Sequence, residues 1–301
     1  MRPGVAAAAC VFALIVLACV AAPLYARFVS GTDPFRSNPA GMVESQPVLA
    51  ENEGGLGVTP IGPGWRGPYL LGADQLGRDA AARLLYGGRT SLVIAGSATV
   101  LCLALALVSG VLAGFLGGAV DTVLSGLLDL LWAFPVYLLA ISLSIVLVNE
   151  GLKLGPVTIE SDSPALPALI LALVYVPYVA RPVRAQVIAL RGEDFVQAAT
   201  AVGGSPGHIL RRHILRLLWP LLFGFAPVVA AMMLLTEAAL SVVGIGVQPP
   251  GASWGTLLGD GQELIYSRPI IAIAPGLAVV ATVLSLNVLG DALRGAVDPR
   301  G

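Results

Sequence analysis

The chain has 301 residues, of which 56% are hydrophobic and 12% are charged, and its formal net charge is -1. Soluble globular proteins carry about 25% charged residues, so this chain has too few charges to cover the surface of a soluble fold of its size. High hydrophobicity excludes a disordered chain. A net charge near zero excludes a generally basic nucleic-acid-binding surface. The composition therefore predicts an integral membrane protein.

Six apolar runs are long enough to cross a membrane, since a helix needs about 20 residues to span the hydrocarbon layer. The predicted transmembrane helices occupy residues 1–29, 90–117, 122–148, 164–184, 217–243 and 269–290. A cleaved signal peptide is the alternative for the first run, but its apolar stretch exceeds the usual length of about 7–15 residues. We therefore expect an all-α protein with six transmembrane helices, a core over 90–291 and a tail over 292–301.

Basic residues are concentrated in the connection between the fourth and fifth runs. Six arginines fall within residues 181–216, against two acidic residues. Because cytoplasmic connections are enriched in Lys and Arg, this connection is predicted to be cytoplasmic. Six spans then place both termini in the cytoplasm, in agreement with Arg2, Arg294 and Arg300. The segment 30–89 is consequently predicted to be extracytoplasmic.

The extracytoplasmic segment divides into two parts. Residues 30–70 are rich in Pro, Gly, Asn and Ser, a composition typical of an irregular loop. Asp74 is predicted to cap a helix over 75–86, which the two glycines that follow would end. Asp79 and Arg83 stand four residues apart and are predicted to pair. We interpret this element as an amphipathic helix on the outer membrane surface.

The cytoplasmic loop 191–216 carries signals for two short helices. Glu193 favours a helix start because an acidic side chain stabilises the positive end of the helix dipole. Gly203 and its following glycine are predicted to stop that helix. Ser205 then caps a second helix with Pro206 in its first position. The predicted product is a pair of short helices around a glycine hinge, and its alanines would let a partner approach closely.

The sequence does not indicate chemistry or a cofactor on this chain. Its one lysine, Lys153, is not followed by Ser or Thr, as a nucleotide-binding P-loop requires. The pattern G-x-S-x-G around Ser205 lacks the preceding strand and the His and acid of a hydrolase. His208 and His213 are five residues apart, which does not place them on one helix face, so a metal site is not expected.

Several ordered motifs are similar to those of one family. The loop 191–216 resembles the EAA loop of bacterial ABC-importer permeases. Other segments resemble the C-type subunit of the dipeptide/oligopeptide/nickel branch, and they cover residues 71–79, 88–92, 237–241, 246–250, 253–255, 287–294 and 298–299. The resemblance implies a MetI-like, type I importer permease fold with a cytoplasmic coupling helix, in the bacterial cytoplasmic membrane.

The same resemblance implies a division of labour. This chain would pair with a second permease subunit to form the pathway for di- or oligopeptides. Two ATPase subunits would bind ATP and Mg²⁺, and an extracytoplasmic binding protein would deliver the solute. Nickel, glutathione or another small solute is the alternative cargo. The residues implied in coupling to the ATPases are Glu193, Ala198, Ala199, Gly203, Ser205, His208 and Ile209.

Acidic residues inside the spans are candidates for a role in the pathway or its gating, because burying a charge in lipid is costly. Asp129 is expected near the cytoplasmic end of the third span and Glu237 near the outer end of the fifth; Trp254 is a third candidate. A structural partner, such as an Arg or a helix end, is an equal alternative for the two acids. A stand-alone ion-coupled carrier is the distant alternative for the whole chain, although no inverted repeat or broken helix is evident.

Overall fold

A computed structural model describes residues 3–51, 57–64, 67–155 and 157–297. Arg2, Arg300, the motif 298–299 and the end of the predicted tail lie outside the described residues. The helices are α1 (Pro3–Val20), α2 (Ala22–Tyr25), α3 (Ala80–Leu116), α4 (Gly118–Trp132), α5 (Val136–Glu150), α6 (Ala165–Arg191), α7 (Asp194–Ala201), α8 (Pro206–Ile209), α9 (Leu215–Val242), α10 (Trp254–Gln262) and α11 (Ile270–Val297), with π-helical turns at Ala26–Ser30 and Leu210–Ile214.

The described residues of the connections form three small antiparallel hairpins. They pair β1 (Met42–Val43) with β2 (Gln46–Pro47), β3 (Leu49–Glu51) with β4 (Val58–Pro60), and β5 (Leu152–Leu154) with β6 (Val157–Ile159). In the second hairpin Ala50 lies opposite Thr59. The segment predicted as an irregular loop, 30–70, therefore contains two hairpins. We call the end of the molecule formed by residues 31–79 the hairpin end, and the opposite end, formed by residues 192–214, the short-helix end.

The described residues contain five helices that are long and apolar enough to cross a membrane, or six if one bent pair counts as a span. This agrees with the predicted six-span membrane protein. The bent pair is α4 and α5, which meet at 90° and replace the straight span predicted over 122–148. Pro135 lies at the break, just before α5. Proline disfavours helical geometry in the residue before it, so the helix ends at this point.

The predicted separate surface helix over 75–86 is wrong. The span predicted over 90–117 is present, but it is part of the single 37-residue helix α3, which is long and apolar enough to cross a membrane and begins after its cap, Asp79, and not after Asp74. Gly87 and Gly88 do not end this helix. They lie inside it, where the lack of a side chain lets another segment of the chain pack closely. A Cβ atom at Gly88 would lie 2.6 Å from the Trp254 ring.

The core is organised around α6, which packs along α3. Two glycines of α3 allow this close approach. A Cβ atom at Gly110 would lie 2.7 Å from the carbonyl oxygen of Ala180, and one at Gly114 would lie 2.8 Å from that of Arg184. Small residues commonly permit such helix contacts in membranes. On the other side, α9 packs against α3 and α11, α10 lies against α9 and α11, and α1 lies against α11.

Candidate functional site

The short-helix pair, which we define as α7, α8 and residues 202–205 between them, has the predicted local structure. The glycines 203 and 204 form the turn. Gly203 adopts a φ of 83°, a left-handed conformation that glycine adopts at little cost. The N–H of Gly204 donates to the carbonyl oxygen of Ala199 at 3.0 Å. A Cβ atom at Gly204 would lie 2.6 Å from that oxygen, so both positions favour glycine.

The second short helix is capped as the sequence predicts. The hydroxyl oxygen of Ser205 accepts a hydrogen bond from the N–H of His208 at 3.4 Å, and Pro206 occupies the first turn. The following π-helical turn connects this helix to α9 without a break. In a π-helix, residues five apart align, and the rings of His208 and His213 lie 6.0 Å apart. The prediction that their spacing keeps these two histidines off one helix face is therefore wrong, because their rings are neighbours. No group of three metal-ligating side chains occurs in the described part of the chain.

The short-helix pair has one anchored face and one exposed face. Val196 and Ile209 are each only 5% exposed and belong to the hydrophobic core. Val202 is 86% exposed, and Ala198 and Ala201 are exposed beside it. Val196 and Ile209 anchor the pair to the core. The other face therefore presents small and apolar side chains to the outside, as a surface that contacts a partner does.

Two ion pairs join α4 to α6. The guanidinium of Arg184 binds both carboxylate oxygens of Asp121, at 2.5 and 2.6 Å. Arg181 binds Asp129 at 2.7 Å, and both side chains of this pair are largely exposed. The Arg181 guanidinium also lies 5.2 Å from the ring centre of Trp132. Asp129 thus has an arginine as a structural partner, which is one of the alternatives that the sequence left open for this residue. The pair formed by Asp121 was not predicted.

Glu237 and Trp254 are brought together in a buried junction of α3, α9 and α10. The Glu237 side chain is fully buried and accepts a hydrogen bond from the Ser241 hydroxyl at 2.8 Å, with Ser91 and Ser253 close by. The indole N–H of Trp254 donates to the carbonyl oxygen of Leu84 at 3.1 Å. Neither side chain reaches the surface of the chain. Asp129, in the α4–α6 contact, is not part of this junction.

A second charged cluster at the hairpin end was missed by the sequence analysis. Asp74 binds Arg78 at 2.7 Å and Arg83 at 3.2 Å, and Arg83 also binds Asp260 of α10 at 3.3 Å. Burial raises the pKa of Asp260, while the two arginines lower it. The predicted pair of Asp79 with Arg83 is wrong, because Asp79 caps α3 instead. The ordered motif 71–79 was the available signal, but Asp260 of α10, which completes the cluster, is distant in sequence.

The long apolar helices, five or six of which among the described residues could cross a membrane, define the chain as a multi-pass membrane protein. The family model described as "Binding-protein-dependent transport system inner membrane component" matches residues 106–300, and the chain belongs to this family. The resemblance to ABC-importer permeases is thereby confirmed.

Curated relatives agree with this assignment. The chain is 39% identical over 235 residues to a putative peptide transport system permease protein of Brucella suis, covering 77% of this chain and 74% of the relative. It is 36% identical over 238 residues to the dipeptide transport system permease protein DppC of Alkalihalophilus pseudofirmus, covering 77% and 72%. It is 33% identical over 232 residues to the glutathione transport system permease protein GsiD of Pectobacterium atrosepticum, covering 77% and 73%.

A solved structure supports the fold. An inward-facing crystal form of the MetNI methionine ABC transporter contains a chain that matches this one with a TM-score of 0.56 and 18% identity. The match covers 71% of this chain and 96% of that chain. This likeness supports the predicted MetI-like fold. The chain is a multi-pass permease subunit in a membrane, not an enzyme.

Proposed function

We propose that this chain is one half of a heterodimeric permease that imports di- or oligopeptides. Two of its relatives are named as permease proteins for peptide and dipeptide transport, and these names support this cargo. The short-helix end would face the cytoplasm, because six arginines and only two acidic residues lie within and next to it, over residues 181–216, and cytoplasmic connections are enriched in basic residues. Both termini would then be cytoplasmic, and the hairpin end would meet an extracytoplasmic binding protein. The membrane would be the bacterial cytoplasmic membrane.

The short-helix pair would seat on an ATPase subunit, and its anchored geometry is the observation that carries the proposal. Only Gly192 and Glu193 separate α7 from α6, and α8 continues into α9 through the π-helical turn. A rigid shift of the pair would therefore move the ends of two core helices together. ATP and Mg²⁺ would be held by the two partner ATPase subunits, and this chain would hold neither.

The seven proposed coupling residues divide into two roles. Some shape or anchor the pair and others face the ATPase. Gly203 and Ser205 form the turn and cap, and Ile209 anchors α8 in the core. The residues that would face the ATPase are Glu193, Ala198 and His208, which are exposed, and Ala199, which is half-buried; Gly203 and Ser205 are exposed as well.

The proposed pathway and gating residues also divide by position. Asp129 and its partner Arg181 are exposed on the surface of this chain, and a charged pair facing lipid would be costly. We therefore assign this pair to the wall of the pathway. Glu237 and Trp254 are buried where α3, α9 and α10 meet. Their proposed role in gating is to keep these three helices together while the ends of α6 and α9 move.

The test is reconstitution of the whole transporter in liposomes, with the second permease, both ATPases and the binding protein. Uptake of a labelled dipeptide should require ATP and every subunit. An excess of unlabelled dipeptide should abolish it, whereas glutathione or Ni²⁺ should compete poorly. Preferential uptake of glutathione or Ni²⁺ would replace the peptide cargo with that solute. Flux through this chain alone, without ATP, would favour the stand-alone carrier and contradict the proposal.

A further inference from the structure

A basic surface cavity of about 560 Å³ lies between α3 and α9 at the short-helix end, apart from the exposed face of the short-helix pair. It is lined by Leu107, Arg211, Arg212, Leu215, Arg216 and Trp219. All three arginines are exposed. Within the described ranges, none of the three has an ion-pair, hydrogen-bond or aromatic partner. Three guanidinium groups around one cavity favour an anion as the ligand, because no acidic side chain among the described residues pairs with them.

The exposed side chains change character along α9 away from this cavity. After the arginines comes Trp219, whose ring lies 5.9 Å from that of Phe223, and both aromatic residues are more than half exposed. From Arg212 to Phe223 the helix rises roughly 16 Å, at about 1.5 Å per residue. A membrane leaflet presents first its charged headgroups, then its interface and then its acyl chains. The side chains along α9 change in the same order, from charged to amphipathic to purely apolar.

We propose that this cavity binds the headgroup phosphate of an anionic glycerophospholipid. Arginine is well suited to phosphate, since its planar fork donates two parallel hydrogen bonds. The acyl chains would follow Leu107, Leu215 and Phe223 toward the membrane interior. Basic pockets between transmembrane helices on the cytoplasmic side are suited to anionic headgroups. Free phosphate would match the arginines but leave the apolar wall and the exposed Trp219 without a partner.

The experiment measures lipid retained by the purified full-length chain in detergent, using native mass spectrometry. The probes are dioleoylphosphatidylglycerol, dioleoylphosphatidylcholine and inorganic phosphate. We expect phosphatidylglycerol to bind in preference to phosphatidylcholine, and millimolar phosphate not to displace it. Each arginine near a membrane surface contributes about fivefold in affinity, the equivalent of roughly 1 kcal/mol. The triple variant Arg211→Gln/Arg212→Gln/Arg216→Gln should therefore lose on the order of a hundredfold.

Matched variants separate this site from general charge effects. Arg89→Gln removes another exposed arginine, in α3 near the hairpin end, and should leave binding unchanged. The triple lysine variant at 211, 212 and 216 keeps the charge but loses the planar fork, so it should bind phosphatidylglycerol more weakly than the unaltered chain and more strongly than the glutamine variant. If the glutamine variant fails to fold, the weaker binding of the lysine variant still tests the site. Trp219→Ala should weaken binding of both lipids and leave the preference for phosphatidylglycerol.

Four results would overturn the proposal. Equal binding of the two lipids by the unaltered chain would remove the anionic specificity, and a triple glutamine variant that retains phosphatidylglycerol would place the lipid elsewhere. Displacement by inorganic phosphate would make the site one for a free anion. The same measurement on the assembled transporter should still detect the lipid. Its loss there would mean that a partner subunit, not lipid, covers this cavity.

Discussion

The carboxylate of Asp79 accepts a 3.0 Å hydrogen bond from the backbone N–H of Tyr69. Its other oxygen accepts from the N–H groups of Ala81 and Ala82 at the start of α3. The hydroxyl of Ser30, which follows the first span, also donates to Asp79. One fully buried carboxylate therefore ties the end of the first span, the hairpin end and the 37-residue helix α3 to one another.

Replacing Asp79 with Ala should destabilise the protein. The change removes a helix cap, leaves the buried N–H of Tyr69 without an acceptor and breaks the hydrogen bond from Ser30. A lost cap costs about 1 kcal/mol, and each buried unsatisfied group costs roughly 1–3 kcal/mol. Thermal unfolding in detergent should show a clearly lower midpoint. Asp33→Ala removes an exposed aspartate that accepts from Phe35 and is the control. Equal midpoints for the two variants would mean that the Asp79 contacts contribute little.

Local signals predicted the short-helix pair well. A serine before a proline and a glycine pair after a helical run determine caps and turns through neighbouring backbone groups, so the sequence contains nearly all of the information. The same reasoning failed at α3. Gly88 looks like a helix stop until Trp254 is known to pack on it, and that contact joins segments far apart in the chain.

In the candidate site, too, local features were predicted from the sequence and contacts between distant segments were not. The coupling residues were found by resemblance, and their local geometry agrees with helix rules. Asp121 pairs with Arg184 across two helices, and sequence spacing carries no signal for such a contact. His208 and His213 approach each other because of one π-helical turn, which a regular helical periodicity does not anticipate. The roles of Ala198 and Gly203 in coupling stay predictions.

Gly203→Ala should uncouple transport from ATP hydrolysis. Its positive φ makes any other residue strained, by about 1–2 kcal/mol, so the turn between α7 and α8 should open or shift. Peptide uptake by the reconstituted transporter should fall severalfold, although the chain still inserts and assembles. Gly207→Ala is the control, because Gly207 has ordinary backbone geometry and open space around its Cβ position. Equal uptake by both variants would exclude a requirement for this turn.

Ala198→Trp should weaken the contact with the ATPase. The side chain is exposed on this chain, so the substitution should not disturb folding, but a bulky ring would hold a closely seated partner away. The measurement is the amount of ATPase that co-purifies with the tagged permease. Ala119→Trp makes the same change at an exposed position at the start of α4 and should leave co-purification intact. Full recovery of the ATPase with Ala198→Trp would contradict the proposed docking face.

Gly114→Val should separate α3 from α6. A Cβ atom at this position already lies 2.8 Å from the carbonyl oxygen of Arg184, so the two backbones must move apart. Overpacking of this kind costs typically 1–3 kcal/mol. The thermal midpoint in detergent should drop. Gly126→Val, in α4 with open space around it, should change the midpoint little. A drop of similar size in both variants would attribute the effect to the valine itself and not to the helix contact.

The ion pair between Arg184 and Asp121 can be tested by exchanging its charges. Arg184→Asp alone places two acids together, and Asp121→Arg alone places two guanidinium groups together, so each should push α4 away from α6. Since α6 leads directly into the short-helix pair, peptide uptake should fall in both single variants. The double exchange restores opposite charges across the same contact and should recover much of the uptake. If the double variant transports no better than either single one, attraction between these two groups does not hold α4 on α6.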